Sequence, residues 1–192
     1  QSLWAEKATS RSLHNYPRII SWINYMGKLT NQNPSKRLIV LYNASGTNIA
    51  SCVIDRQSLP EFQILKATLQ PKGFVADAKT FLYETNNENE AHYLCSILNS
   101  NVINEVIKPL QPRGLYGERE IQRRPFMFAI PTFNEKDPKH LELAQISKQC
   151  HNRLESKQFT RKSAAGTRSE ARGTGAKEIE RIDELVSELL GL

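Results

Sequence analysis

Apolar positions along the chain alternate between a period near three and a half and a period of two, and each change marks an element. Asn15-Tyr16-Pro17 reads as a helix start with proline in the first turn. Ile19, Ile20, Ile23, Met26 and Leu29 follow at helical spacing, which predicts one buried face. The polar run from Thr30 to Lys36, with Pro34 inside it, ends that helix. Arg37 to Asn43 and Asn48 to Ile54 are β-rich runs on either side of Ala44-Ser45-Gly46-Thr47, the pattern of a hairpin. Phe62 to Leu69 is a third strand candidate. Pro71-Lys72-Gly73 then turns the chain into a long, partly buried strand over Phe74 to Glu84.

Helical periodicity returns after Asn87, where Asn87 and Glu90 are spaced as a capping box. Ala91, Leu94, Cys95 and Leu98 form one stripe; Asn99-Ser100 breaks it, and Ser100 or Asn101 caps a second helix striped by Val102, Ile103, Val106, Ile107 and Leu110. A Gly- and Arg-rich loop leads to Phe126–Ile130, predicted as a buried strand closed by Pro131. Asp137-Pro138 opens a helix carrying Leu143, Ile146, Cys150 and Leu154 on one side. Strands gathered first and helices after them predict an α+β fold: a mixed, largely antiparallel sheet packed with helices, plus a C-terminal amphipathic helix.

Composition divides the chain. Residues 1–156 form the expected domain. Residues 157–176 are basic and rich in Ser, Ala, Gly and Thr, which predicts a mobile or extended linker whose arginines keep it soluble or add non-specific phosphate attraction. Residues 177–192 set Ile179, Ile182, Val186 and Leu189 on one helical face. A helix that short is marginal alone, so it needs a partner: its own domain, another subunit or a further part of a parent chain. The first residue is Gln1 and no secretory-type leader follows, which predicts a fragment of something longer.

Charge and candidate chemistry narrow the picture. A net charge of +6 permits nucleic-acid binding without requiring it, and much of the excess sits in the predicted linker. No apolar run approaches the roughly 18 residues of a membrane span, so a cytoplasmic protein is expected. Cys52, Cys95 and Cys150 are widely spaced within apolar patterns, which predicts reduced, buried thiols rather than a disulfide framework or zinc site. Arg113, Gly114, Tyr116, Gly117, Arg119, Arg123 and Arg124 crowd into a dozen residues. Glycines let a backbone approach a partner, and arginine forks match phosphates and guanine edges. Such a loop suits a polyanion; it is equally the composition of a solvated connection. Pro60-Glu61 and Asp77-Ala78-Lys79 loosely match the acidic pair and lysine of Mg²⁺-dependent nucleases. Asn33-Pro34-Ser35 lacks the second proline and the aromatic ring of an adenine-methyltransferase catalytic motif, and no cofactor-binding glycine motif accompanies it. This chain is therefore not a complete methyltransferase.

The run Glu90 to Ser100, then Arg113-Gly-Leu-Tyr-Gly-Glu-Arg119, Ile130-Pro131 and the terminal Ile182 to Leu192 resemble the C-terminal part of large adenine-specific DNA methylases of prokaryotic restriction–modification systems. The resemblance is to their TaqI-like target-recognition (specificity) domain, and it extends to Leu41 to Thr47 and Gly73 to Tyr83. It implies a duplex-DNA recognition module without catalytic residues of its own. It further implies an N-terminal adenine-N6 methylase domain in the parent, where S-adenosylmethionine would bind, and subunit or self-association through the C-terminal helix. Read by residue chemistry, Lys108, Arg113, Arg119, Arg123 and Arg124 are candidates to neutralise phosphates or read guanine, and Gln111 and Gln122 to pair with adenine. Gly114 and Gly117 would give the loop its close approach, and Tyr116 would pack on a sugar or fill the gap of a flipped base. Two rivals stand beside this reading: a nuclease using Glu61, Asp77 and Lys79, and a non-catalytic assembly module.

Overall fold

A computed structural model describes residue 6 and residues 18–65, 67–77, 79–114, 117–160 and 163–192; the predicted helix start at Asn15–Pro17 lies outside them. In chain order the elements are α1 (Ile19–Ile23), β1 (Leu38–Asn43), β2 (Ser51–Asp55), β3 (Phe62–Ile64), β4 (Ala67–Leu69) and β5 (Thr80–Thr85). They continue with α2 (Glu88–Asn99), α3 (Asn101–Ile107), β6 (Arg113–Gly114), β7 (Gly117–Glu118), α4 (Pro138–Glu155), α5 (Ala164–Thr174) and α6 (Ala176–Leu190). The fold is α+β, with its main sheet antiparallel in the order β2-β1-β5.

β1 is central and buried on both faces, which is why Leu-Ile-Val-Leu-Tyr reads as unbroken apolar sequence rather than as an alternation. Leu38, Val40 and Tyr42 join the main core beneath α2, while Ile39 and Leu41 face a small second core with Ala76, Ile54, Phe74 and Leu82. The hairpin predicted from Arg37 to Ile54 forms, pairing Leu38 with Asp55 through to Tyr42 with Ser51. Only Thr80–Thr85 of the expected long strand pairs with β1; Gln32 holds the preceding segment by donating Nε2 to the Ala76 carbonyl (2.9 Å) and accepting the Ala76 N–H (2.8 Å). Arg56 closes this end, donating to the carbonyls of Asn33 and Lys36 and pairing with Glu84 at 2.7 Å, both side chains nearly solvent-free.

The cap residues the sequence specifies form their bonds, but the Asn87–Glu90 box closes from one side only: the Asn87 N–H donates to Thr85 Oγ1, and the Glu90 carboxylate accepts from Tyr83 and Thr85 instead. Asn87 accepts the N–H groups of Asn89 and Glu90, Ser100 accepts that of Ile103, and Asp137 accepts that of Lys139 ahead of Pro138. α2 is buried continuously from Ala91 to Leu98, because β1 covers one side and α4 the other. α6 finds its partner within the chain: Ile182, Leu185 and Val186 are buried against α3 and α4. Asp183 accepts from the backbone and side-chain amides of Asn101 at the start of α3, adding a polar lock to that packing.

Five further expectations are corrected. The first helix is short and its intended buried face is open: Ile20 is 70% exposed, and Ile19 and Ile23 are also exposed. Asn24 breaks it, its side-chain oxygen accepting the N–H groups of Leu29 and Thr30. Phe62 to Leu69 is not one strand; a residue with positive φ, Leu65, turns it into the β3–β4 ribbon. Phe126–Ile130 is not a buried strand, since Arg124–Met127 forms a 3₁₀ turn with Phe126 and Met127 exposed. Residues 157–176 are not an extended linker throughout; they include α5, capped by Ser163 onto Gly166 N. Two of their arginines bond to the domain, Arg168 to the Asn48 carbonyl (2.7 Å) and Arg172 to that of Asn99 (2.9 Å). The thiols are free, but only Cys95 is buried; Cys150 is half-buried and Cys52 exposed on the sheet edge.

Candidate nucleic-acid interface

The Gly/Arg loop is fastened to the tip of the β1–β2 hairpin. Ser45 forms an isolated antiparallel bridge with Glu120. Gly46 N–H donates to the Arg119 carbonyl (2.6 Å), and the N–H groups of Ile121 and Gln122 both donate to the Ala44 carbonyl. Asn43 shapes the receiving tip by donating to the carbonyls of Ser45 and Asn48 and accepting the Ala50 N–H. Ile121, fully buried, plugs the loop into the main core. Tyr42 adds a further tie, donating its hydroxyl to the Gln122 carbonyl at 2.7 Å.

This anchoring separates the candidates into two sets. Gln111 is buried, with Nε2 donating to the Gly46 carbonyl (3.1 Å), so its amide is turned into the fold. Arg124 donates Nε to the Leu110 carbonyl (2.6 Å) and Nη1 to the Glu120 carbonyl (2.9 Å), stapling the two ends of the loop together. Lys108 pairs with Glu105 at 2.5 Å on α3. These three serve the local structure. By contrast, Arg113, Arg119, Gln122 and Arg123 are exposed. Gln122 sits at positive φ and donates Nε2 to Glu120 (2.8 Å), a tether that spends one of its amide donors on the loop itself.

Arg113 and Gly114 pair with Glu118 and Gly117 as the two short strands of a small projecting ribbon. Tyr116 lies outside the described residues. Gly114 lets the Arg119 side chain cross close over the backbone, and a Cβ there would push that side chain aside.

Arg123, whose carbonyl accepts the Phe126 N–H, adjoins an aromatic cluster that the sequence did not reveal. Tyr42 stacks on Phe81 (5.4 Å between centroids, 16° between planes) and meets Phe126 at 6.0 Å, while the Lys28 ammonium sits 4.9 Å over the Phe81 ring. Burial pushes the Tyr42 phenol well above its ordinary pKa, with the Arg123 charge opposing that shift. Phe126 and Met127 follow directly, exposed. Their apolar type signalled a strand, and only the long-range bonds of the loop backbone to Ala44 and Gly46 explain why they face outward.

The nuclease candidates all lie at the surface. Glu61, Asp77 and Lys79 are exposed, and the Asp77 carboxylate accepts the Lys79 N–H in the turn before β5. Among the described residues no group of three or more His, Cys, Asp or Glu side chains is placed to hold a metal ion. No helix among them is long and apolar enough to cross a membrane. No protein-family model, no curated protein and no solved structure matches the chain.

Proposed function

We propose that the chain is a non-catalytic target-recognition module that binds duplex DNA through the anchored loop and supplies specificity to an adenine-N6 DNA methyltransferase domain of a cytoplasmic restriction–modification protein. The observation that supports it is the presentation of Arg113, Arg119 and Arg123 on a loop pinned to the hairpin tip, beside exposed Phe126 and Met127. A loop fastened in this way loses little conformational entropy on binding, so its contacts can contribute to affinity. Arginine forks suit phosphates and guanine edges, and the neighbouring apolar side chains suit sugars and thymine methyl groups. S-adenosylmethionine would be bound by the methyltransferase domain, not by this module.

Neither rival gains an observation of its own. The assembly reading relied on an unpartnered C-terminal helix, and α6 buries its apolar face against α3 and α4. The nuclease reading rests on Glu61, Asp77 and Lys79, and the one bond the structure gives among them, from the Lys79 N–H to the Asp77 carboxylate, is that of an ordinary turn.

The test is selection from a randomised duplex pool, with the retained DNA sequenced at two salt concentrations in the absence of Mg²⁺. One short motif that persists at the higher salt is the expected result. Retention with no motif, collapsing as salt rises, would reduce the activity to phosphate attraction and overturn the specificity claim.

A further inference from the structure

A second site lies away from the loop, where α5 folds back over the domain. Between the sheet edge at Ile49–Ser51, the C-terminal half of α4, and the α5–α6 corner is a half-enclosed cavity of about 230 Å³. One wall is apolar, made by Ile49, Leu154, Ile179 and Ile182. The opposite wall carries Arg168 and Arg172, one helical turn apart on α5. Each spends one guanidinium nitrogen on a backbone carbonyl, and neither lies within salt-bridge reach of a described carboxylate. The acids nearby are committed: Glu178 pairs with Arg153, and Glu170 with Lys157 and Thr160. Burial and the adjacent Arg172 charge pull the Arg168 pKa below its ordinary value, so the pair is two like charges brought together in a poorly solvated place. Ser51, whose solvent-shielded Oγ interacts with the buried Cys95 thiol, is also among the residues lining the cavity.

We propose that this cavity binds a small amphiphilic anion, a carboxylate on a short hydrocarbon body, with the carboxylate bridging Arg168 and Arg172. The cationic wall needs an anion, and the apolar wall rejects a bare, hydrated one. The cavity of about 230 Å³ has room for a short chain such as that of hexanoate. Because α5 supplies both arginines and one side of the pocket, such a ligand would bind the helix to the domain. The site is independent of the DNA-binding reading.

The native protein supplies a direct readout, because Cys150 lines this cavity whereas Cys52 does not. Alkylation by iodoacetamide, followed residue by residue by peptide mass spectrometry, is measured with hexanoate, 1-hexanol or acetate. Saturable protection of Cys150 by hexanoate, with Cys52 unaffected, and at least about tenfold weaker protection by hexanol and by acetate is the expected result. Arg168→Gln and Arg172→Gln should each raise the hexanoate concentration needed by a similar factor while keeping the thermal transition cooperative. Failure of hexanoate to protect, equal protection by hexanol, or undiminished protection in a folded Arg168→Gln/Arg172→Gln double variant overturns the proposal. If that variant does not fold, the hexanoate–hexanol comparison on the native protein decides.

Discussion

Arg124 and Arg123 are neighbours of the same type, and the structure assigns them opposite jobs, so replacing each with alanine should give opposite results. Arg124 donates to two loop carbonyls at 2.6 and 2.9 Å, with a third contact to Ile121 O at 3.5 Å, beyond good geometry. Hydrogen bonds from a charged donor contribute about 1.5–3 kcal/mol each, and half-burial puts these at the lower end, so Arg124→Ala should cost about 2–3 kcal/mol. Urea unfolding followed by circular dichroism reads this as a lower midpoint at unchanged slope. Hydrogen exchange should place the loosening at the amides of Gly46, Ile121 and Gln122, which the loop docking protects. Arg113→Ala, Arg119→Ala and Arg123→Ala alter exposed side chains and should change stability by about 1 kcal/mol or less. For each phosphate contact they remove, the slope of log K against log salt should fall by about 0.9. Arg124→Ala that unfolds at the wild-type midpoint while losing salt dependence would refute the division of labour, because its guanidinium would then face the DNA.

Gly114→Ala should leave the thermal midpoint nearly unchanged, because the new Cβ meets only the movable end of Arg119, yet weaken DNA binding by displacing that guanidinium; an unchanged DNA isotherm would contradict this. Arg56→Met should lower stability by about 3 kcal/mol in urea unfolding, because Glu84 would lose its cationic partner and keep only the Asn33 N–H, and adding Glu84→Leu should recover part of the loss. Acid should also destabilise the fold through His92, whose pKa is pushed down to about 4 chiefly by burial and further by His151. The folded value lies below the unfolded one of about 6.5, so the contribution is complete above pH 6.5 and is lost as pH falls toward 4, up to about 3 kcal/mol. His151, also depressed by burial, acts in the same direction, since it must stay neutral to accept the Val53 N–H. The difference between wild type and His92→Phe in urea midpoints across that window isolates the effect from the carboxylates; parallel profiles would refute it.

Wherever a short stretch of sequence determines the outcome, the element was legible. The caps at Asn87, Ser100 and Asp137 need only a side chain and the next turn of backbone, and the β1–β2 hairpin needs only two β-rich runs and a tight connection. The misreadings concern segments held by distant partners. The loop backbone takes its shape from Ala44 and Gly46, some seventy residues earlier, so Phe126 and Met127 look like strand and behave as surface. The polar sequence of α5 looks like linker, yet Arg168 reaches Asn48 and Arg172 reaches Asn99. Locally, nothing in Thr-Arg-Ser-Glu-Ala-Arg announces that two carbonyls wait on the domain surface.

The same blindness affects the reading of charge. An excess of six positive charges suggests a broadly basic surface, but much of the arginine is used internally. Arg37 is paired with Asp55, Arg56 with Glu84, Arg153 with Glu178, and Arg181 with Glu142 and Glu184. Arg124, Arg168 and Arg172 are bonded to carbonyls. What the loop presents to a polyanion is local: the exposed side chains of Arg113, Arg119 and Arg123. Three phosphate contacts would give a salt slope of only about 2.7, too shallow for affinity to rest on counterion release. A module with so small an electrostatic footprint has to obtain its grip from base-edge and apolar contacts, or from a partner domain that holds the other side of the duplex. Specific readout is thus a requirement of the proposed function rather than an embellishment of it, and the exposed Phe126 and Met127 beside Arg123 are where the required apolar contacts would be made.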